Sequence, residues 1–461
     1  MAAQYQMIIA TSVFLITYAV IVSEKIHRTV AALVGAALVV ITGIIVPEKA
    51  VHAIDFNTIG LLVGMMIIVG ITRLTGVFEY LAVKAAKRAQ GEPLKIIAAL
   101  SLITAVLSAL LDNVTTVLLI VPVTFAIARQ LEINPLPFLI AEIIASNIGG
   151  TATLIGDPPN IMIGSATGLG FMDFVFNLTP VVVVIYILSI FLIRIIYRDQ
   201  MVARAELQVG IMELNERDEI KDPALLRKCL AVLSLTVLGF VLHQYVHLES
   251  SVIALSGASL LLLITGEDPE HSLQVVEWPV IFFFIGLFVV VGALEEVGVI
   301  EAVARWALDV TGGNVLPTGL LILWLSAIAS AFVDNIPFVA TMIPLIQDMG
   351  RLGGITDLNF LWWSLSLGAC LGGNGTIIGA SANVVVVGMA EKRDTYISFI
   401  GFMKVAFPLM LMSIVISMGY LFYWYTFHTR TAMAVTLGIG VVLALILKPV
   451  PGMMTKKGMN S

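Results

Sequence analysis

Two polar, glycine-rich stretches interrupt an otherwise apolar chain, and they constrain its fold more than any other feature. The first covers residues 145–160 and the second covers residues 372–383. Backbone groups without helical hydrogen bonds are tolerated at bilayer depth only where protein or a water-filled cavity satisfies them. The two breaks therefore indicate a binding site, because discontinuous helices of this kind carry the sites of secondary transporters.

The composition of the chain is that of a membrane protein. Hydrophobic residues make up 59% of it and charged residues 12%, against about 25% charged residues in an ordinary soluble domain. Apolar runs near the roughly 20 residues that span a bilayer recur along the chain, and the alternation of transmembrane strands is missing. We predict an all-α integral membrane protein with eleven transmembrane helices, at 7–23, 28–46, 57–75, 136–168, 177–197, 229–246, 250–266, 278–296, 359–390, 402–426 and 430–448.

Two further apolar segments, 95–130 and 316–349, are each interrupted at the centre by a polar tip. The tips read Asp112-Asn113-Val114-Thr115-Thr116 and Asp334-Asn335-Ile336-Pro337. We predict that these segments are re-entrant hairpins, which enter and leave the membrane on the same side. The polar stretches inside spans 136–168 and 359–390 predict two broken helices.

The chain contains an internal repeat. A shift of 222 residues aligns Asp112 with Asp334 and Asn113 with Asn335. Each half holds an odd number of crossings, so the second half enters the membrane from the opposite face and the repeat is predicted to be inverted. The predicted units are a first repeat, 1–205, with scaffold helices in 7–75, a hairpin at 95–130, a broken helix at 136–168 and a helix at 177–197; a cytoplasmic linker, 206–222; a second repeat, 223–427, with a hairpin at 316–349 and a broken helix at 359–390; and an extra C-terminal transmembrane helix with a basic tail, 428–461.

The positions of the basic residues predict the orientation, because cytoplasmic loops are rich in Lys and Arg. With the N-terminus outside, Lys25, Arg28 and the charged 198–228 segment fall on the cytoplasmic side. The C-terminus is then cytoplasmic as well, with Lys448, Lys456 and Lys457. We predict a multi-pass membrane protein in contact with lipid.

The two acidic hairpin tips are the first candidates for chemistry. An ionised carboxylate at mid-membrane costs about 2.5–3.5 kcal/mol on insertion scales, so its presence in both halves needs a reason. Asp112 and Asp334 are interpreted either as caps of the returning helices or as caps that also bind a cation or proton. Asp157, followed by two prolines, reads either as a helix cap or as the one acidic group present on one side only, because Ala380 stands at its position in the second half.

The candidate binding residues come from the tips and from the two breaks, where free carbonyls, hydroxyls and helix N-termini suit a hard cation or an anionic group. They are Asp112, Asn113, Thr115, Thr116, Ser146, Asn147, Gly149, Gly150, Thr151, Thr153, Gly156, Asp157, Asn160, Asp334, Asn335, Gly372, Gly373, Asn374, Thr376, Gly379, Ser381 and Asn383. Candidate sodium sites are Asp112, Asn113 and Gly149, and Asp334, Asn335 and Gly372.

The sequence has no metalloprotease, serine-hydrolase or phosphate-binding-loop motif. We therefore predict a transporter and not an enzyme, driven by an ion gradient or by a partner ATPase. Apart from a coupling ion, Na⁺ or H⁺, we expect no cofactor and no bound metal. We expect no nucleic-acid partner.

The run from Ser146 to Asn160, with the first tip and Ile140-Ala141-Glu142, resembles bacterial relatives of the melanosomal P protein. These relatives belong to the ion transporter superfamily, within its arsenite permease and sodium/proton antiporter group. The superfamily also includes sodium-coupled di- and tricarboxylate carriers. The resemblance covers nearly the whole chain and implies a scaffold plus a mobile transport domain, a homodimer and an elevator-like movement. For an arsenite-type protein it also implies a cytosolic ATPase partner.

The hairpin tips depart from the dicarboxylate branch, in which they read Ser-Asn-Thr. Asp112 and Asp334 occupy the first position here, and a carboxylate there repels a dicarboxylate unless it is protonated or Na⁺-bound. The arsenite permeases also lack this Asp-Asn order. We predict an ion-coupled permease of the bacterial inner membrane that moves a small anion or an inorganic substrate such as arsenite. The alternatives are a Na⁺/H⁺ antiporter, a citrate-like carrier and, in another class, a passive anion channel.

Overall fold

The computed structural model describes residues 2–23, 25–427 and 429–446, and within these ranges all regular secondary structure is helical. Nine helices of the described ranges are long and apolar enough to cross a membrane. The predicted all-α membrane fold is therefore confirmed, whereas the number of eleven crossings remains a prediction. The predicted basic tail, with Lys448, Lys456 and Lys457, lies outside the described residues.

The first half of the chain folds into ten helices. They are α1 (Ala2–Ser23), α2 (Arg28–Ile41), α3 (Pro47–His52), α4 (Phe56–Arg73), α5 (Val77–Arg88), α6 (Pro93–Leu110), α7 (Asn113–Gln130), α8 (Leu136–Gly150), α9 (Pro158–Thr167) and α10 (Phe171–Ile196). The predicted linker follows and contains α11 (Ala205–Glu213) and a 3-10 helix, Glu216–Glu219.

The second half repeats the first helix for helix. It comprises α12 (Pro223–Val246), α13 (Ser250–Thr265), α14 (Pro269–Leu273), α15 (Trp278–Glu296), α16 (Val299–Thr311), α17 (Val315–Phe332), α18 (Asn335–Gly353), α19 (Asn359–Gly372), α20 (Ser381–Glu391) and α21 (Phe399–Phe427). A last helix, α22 (Thr429–Ile446), packs on α10 and α21. This order agrees with the predicted repeat.

Two helix-turn-helix segments stand where the hairpins were predicted, and their turns follow from local chemistry. That each enters and leaves the membrane on the same side remains a prediction, since three of the four helices are long enough to span. In the first hairpin, α6 ends when Leu111 adopts an extended conformation, and α7 begins after Asp112, whose carboxylate accepts the backbone N–H of Thr115. In the second, Val333 is extended and Asp334 accepts the backbone N–H of Ile336. Each acidic tip therefore caps the returning helix, as predicted.

The helices form two groups. The scaffold group consists of α1–α4 and α12–α15, in which α2 packs on α15 and α4 packs on α13. The hairpin group consists of α6–α10 and α17–α21, in which α7 packs on α20 and α18 packs on α9. Each packing pair within a group is matched by its counterpart from the other half, which is the reciprocal pattern of a two-fold relation between repeats.

Glycines allow the hairpins to lie close to the broken helices. A Cβ on Gly149 would lie 2.2 Å from the carbonyl oxygen of Ala105 in α6, and one on Gly372 would lie 2.6 Å from that of Ala327 in α17. Gly149, Gly150 and Gly372 are helical residues, so the breaks are shorter than predicted. Small residues here permit close backbone approach.

Candidate functional site

Equivalent hydrogen bonds stabilise the unwound backbone in the two broken helices. The Asn160 side chain donates to the carbonyls of Thr151 and Thr153 at 3.2 and 2.9 Å. Asn383 donates in the same way to the carbonyls of Gly373 and Thr376 at 2.8 and 2.9 Å. Unwound backbone inside the membrane thus finds side-chain partners, as it must where water is absent.

The unwound segments are also tied to the hairpins. The Thr153 hydroxyl donates to the carbonyl of Ala109 at 2.5 Å, and the Thr376 hydroxyl donates to the carbonyl of Ala331. The carbonyl of Ser146 accepts a bond from Ser108 of α6. Each broken helix and its neighbouring hairpin are therefore joined by repeated contacts.

Asn147 joins the two halves at the centre. Its amide donates to Asn374 at 3.0 Å and to Asn383 at 2.9 Å, and its carbonyl oxygen accepts a bond from Asn113 at 3.1 Å. All four side chains are almost fully buried. Cys370 stands at the equivalent position in the second half, so this four-asparagine network is a point where the repeat is asymmetric.

Asp157 is the second point of asymmetry. Its side chain is fully buried and forms no cap bond with α9, although Asp157 directly precedes that helix. The carboxylate instead accepts the Asn335 amide, with N–O distances of 3.3 and 3.4 Å. The interpretation of Asp157 as a side-chain cap is therefore wrong, because its carboxylate oxygens contact Asn335 of the second hairpin tip. The start of α9 is instead favoured by the two prolines that follow Asp157.

The two hairpin tips differ in their partners. The carboxylate of Asp334 receives a bond from Arg28 at 2.8 Å and another from Ser381 at 2.8 Å. Asp112 accepts only the backbone and hydroxyl of Thr115, and it has no ion-pair partner among the described residues. The two equivalent acids are therefore in different electrostatic environments.

These side chains surround a small cavity between the two groups of helices. It is lined by Arg28, Leu62, Met66, Asp112, Asn113, Val114, Asp157, Pro158, Glu277, Val280, Asn335, Ile336 and Ser381. Its free volume is about 20 Å³, which is room for about one water molecule or one dehydrated ion. Three carboxylates and one guanidinium line it, so the cavity favours a cation.

The remaining predicted residues support this cavity without lining it. Thr151 donates to the carbonyl of Asn147, and Ser146 donates to that of Ile143. A Cβ on Gly156 would lie 2.5 Å from the carbonyl of Ser108, and one on Gly379 would lie 2.6 Å from that of Gly373. Thr116 is fully buried in α7. Since Gly149 and Gly372 pack against helices, the two sodium sites that include them remain predictions.

Two charged residues of the cavity, Arg28 and Glu277, were not among the predicted site residues. Arg28 was predicted at the cytoplasmic end of span 28–46 and is indeed the first residue of α2, but its contact with the second hairpin tip was not predicted. The sequence gives only a weak signal for Arg28, because the repeat places an uncharged residue, Ser250, at the equivalent position in the second half. Glu277 corresponds to Asp55 under the 222-residue shift, and this pair of acids before equivalent helices was a usable signal.

The paired hairpins, the broken helices and the polar cavity between two helix groups define a membrane transporter. The chain belongs to the citrate transporter (CitMHS) family, because the model of that family matches residues 18–368. This result confirms the predicted superfamily. Since the relatives are transporters, it also confirms that the chain is a transporter and not an enzyme.

Curated relatives cover most of the chain. An uncharacterized transporter of Mycobacterium tuberculosis is 46% identical over 423 residues, which is 91% of this chain and 98% of that protein. The human P protein is 36% identical over 503 residues, covering 91% of this chain and 60% of that protein. The predicted similarity to the P protein is thus confirmed.

A solved structure shares the fold. The YdaH transporter of Alcanivorax borkumensis matches with a TM-score of 0.56 at 17% identity, over 82% of this chain and 88% of that one. At this identity the match supports the fold and not the substrate.

Proposed function

We propose that this protein is a secondary active transporter of the bacterial inner membrane, coupled to H⁺ or Na⁺ through Asp112 and Asp157. The observation that supports this proposal best is the cavity, in which three carboxylates and one guanidinium surround room for about one ion. None of the three carboxylates, on Asp112, Asp157 and Glu277, has an ion-pair partner within 4.0 Å among the described residues. A buried acid in a membrane marks an ion or proton pathway by default.

The position that would suit an anion is already filled by the protein. Arg28, the Ser381 hydroxyl and the start of α20 converge on one place, and a helix start with an arginine attracts an anion. The carboxylate of Asp334 occupies that place. We therefore favour the exchange of cations, Na⁺ against H⁺, over the binding of a free anion in this conformation.

A citrate-like carrier is the second candidate. The description of the matching family as a citrate transporter favours it, and so does Arg28, the only basic residue of the cavity lining. A carboxylate substrate would have to replace Asp334 at Arg28. Arsenite, the small inorganic substrate predicted from the sequence, receives no added support from the geometry and belongs in the substrate screen.

The movement we propose is a displacement of the hairpin group against the scaffold group, in an elevator-like manner. The packing supports this division, since the cavity lies between the two groups. The predicted N-terminus outside, the homodimer and the inverted repeats 1–205 and 223–427 are retained as parts of this proposal. The cytosolic ATPase is not required by it.

The test is transport by purified protein in proteoliposomes with an internal pH dye. Imposed Na⁺, citrate and arsenite gradients are applied in turn, and Na⁺ is expected to drive counterflow of protons. Asp112→Asn should abolish the proton signal, whereas Asp222→Asn, at the exposed cap of α12, should retain it. Na⁺/H⁺ exchange is rejected if no gradient moves protons, and the whole proposal fails if a substrate equilibrates independently of every ion gradient, as through a channel.

A further inference from the structure

Arg28 connects the two groups of helices at the edge of the cavity. It begins α2 of the scaffold group, and its guanidinium lies 5.1 Å from the centre of the Phe283 ring on α15, in the same group. Its partners, Asp334 and Ser381, belong to the hairpin group, at distances of 2.8 and 2.5 Å. One side chain thus bridges the surfaces that must slide if the groups move.

The guanidinium also separates two spaces. On one side lies the cavity with Asp112, Asp157 and Glu277. On the other side lies a larger vestibule of about 350 Å³, lined by Ile21, Val22, Ile26, His27, Arg28, Phe332, Val333, Asp334, Ile378, Ser381, Val384 and Val385. Arg28 and Ser381 line both spaces, so the two spaces adjoin at their contact.

We infer that Arg28, Asp334 and Ser381 form a gate, in which the arginine closes the ion cavity against the vestibule and holds the hairpin group to the scaffold. Arginine suits this role because its guanidinium nitrogen Nη1 donates to both Asp334 and Ser381 while the planar group lies over the Phe283 ring. The contact is mostly shielded, since 26% of the Arg28 side chain and 11% of the Asp334 side chain are exposed. Opening requires the guanidinium to leave both partners.

The gate explains why one hairpin tip is paired and the other is not. Asp334 neutralises the gate arginine, which leaves Asp112 and Asp157 free to bind the coupling ion. A change of partner at Arg28 would link ion binding to movement of the hairpin group. The link between ion binding and movement depends on the proposed function, whereas the closure of the cavity by Arg28 does not.

Accessibility of the cavity tests the gate directly. Met66 lines the cavity and is 8% exposed, and Val384 lines the vestibule and is 40% exposed. Met66→Cys and Val384→Cys are treated in membranes with a small permeant methanethiosulfonate amine, and mass spectrometry resolves labelling of each site from that of Cys229 and Cys370. We expect rapid labelling at position 384 and slow labelling at position 66.

Adding Arg28→Ala should raise the labelling rate at position 66 at least tenfold and leave the rate at position 384 unchanged. Arg28→Lys keeps the charge but loses the planar guanidinium, and it should give an intermediate labelling rate at position 66. This variant replaces Arg28→Ala in the test if the alanine variant does not fold. Lys49→Ala is the matched control, because it removes an exposed ion pair with Glu296 inside the scaffold group. It should not change labelling at position 66.

The gate is refuted if position 66 reacts as fast as position 384 while Arg28 is present, or if neither Arg28 variant changes its rate. This outcome is distinct from failure of the proposed function. Faster labelling without any ion-driven transport would support the gate and reject ion coupling. Ion-driven transport with unchanged labelling would support ion coupling and reject the gate.

Discussion

At the scale of the residue, the two equivalent acidic tips differ in charge environment, because Asp334 pairs with Arg28 whereas Asp112 has no ion-pair partner among the described residues. Asp112 and Asp334 stood out because a carboxylate in an apolar hairpin needs a reason, and the repeat showed the pair to be equivalent. The partner of Asp334 is Arg28, 306 residues away in the chain. A contact at that separation has no periodicity or spacing in the sequence to reveal it.

Asp157 is the residue for which the structure changes the expected experiment. Because its side chain does not cap α9, Asp157→Asn should leave the free energy of unfolding within about 1 kcal/mol of the wild type, a small change for a near-isosteric substitution. Coupled transport should be lost, since the amide cannot take up a proton or balance the charge of a cation. Thermal unfolding and proton-coupled uptake check the two parts.

Asp222→Ala provides the opposite control for Asp157. Its carboxylate accepts the backbone N–H groups of Ala224 and Leu225 at the exposed start of α12. Loss of such a cap should destabilise the protein by about 0.5–2 kcal/mol and leave coupling intact. Ion-coupled transport by the Asp157→Asn variant would contradict the role assigned to Asp157 in ion coupling.

At the scale of the element, the hairpins and broken helices were predicted to within a few residues. The predicted hairpin 95–130 corresponds to α6 and α7, and the predicted hairpin 316–349 to α17 and α18. The helices α5 and α16 were missed, because their mixed polar and apolar sequences fit neither a span nor a loop. They pack beside the hairpins, α5 on α6 and α7, and α16 on α18.

The contact between α6 and α8 gives a test of helix packing. Gly149→Ala should destabilise the protein by about 1–3 kcal/mol, because the added Cβ would meet the backbone of Ala105 and backbone cannot rotate away. Gly419→Ala, in α21 with open space around it, is the matched control and should leave the melting temperature unchanged or slightly higher. Equal melting temperatures for both variants would show that the close approach does not matter.

At the scale of the whole molecule, the linker between the halves is docked. The Lys87 ammonium of α5 donates to Glu216 at 2.6 Å and to the carbonyl of Leu214 at 2.7 Å, and Ile211 of α11 is buried. The sequence predicted a charged cytoplasmic linker. Most of its charged side chains are indeed exposed, but composition does not reveal that Glu216 pairs with Lys87 and that Ile211 is buried.

This docking should weaken in acid. The Lys87 hydrogen bond lowers the pKa of the Glu216 carboxyl below its usual value, so the contact contributes above the unfolded pKa of about 4.3 and is lost as pH falls through the lowered pKa. Hydrogen exchange of α11, corrected for the intrinsic rate, should therefore speed up in strong acid. At neutral pH, Lys87→Ala should speed it, and Arg88→Ala, which removes an exposed charge from the same helix, should not.

The division of charge between the two helix groups has an electrical consequence. Arg28 and Glu277 belong to the scaffold side, whereas Asp112 and Asp157 lie on the hairpin side. An empty hairpin group that shifts across the bilayer would carry its negative charge through the membrane field, at about 2.3 kcal/mol per elementary charge per 100 mV. Turnover should then depend on voltage even when the overall exchange is electroneutral, and potassium-clamped proteoliposomes with valinomycin would reveal that dependence.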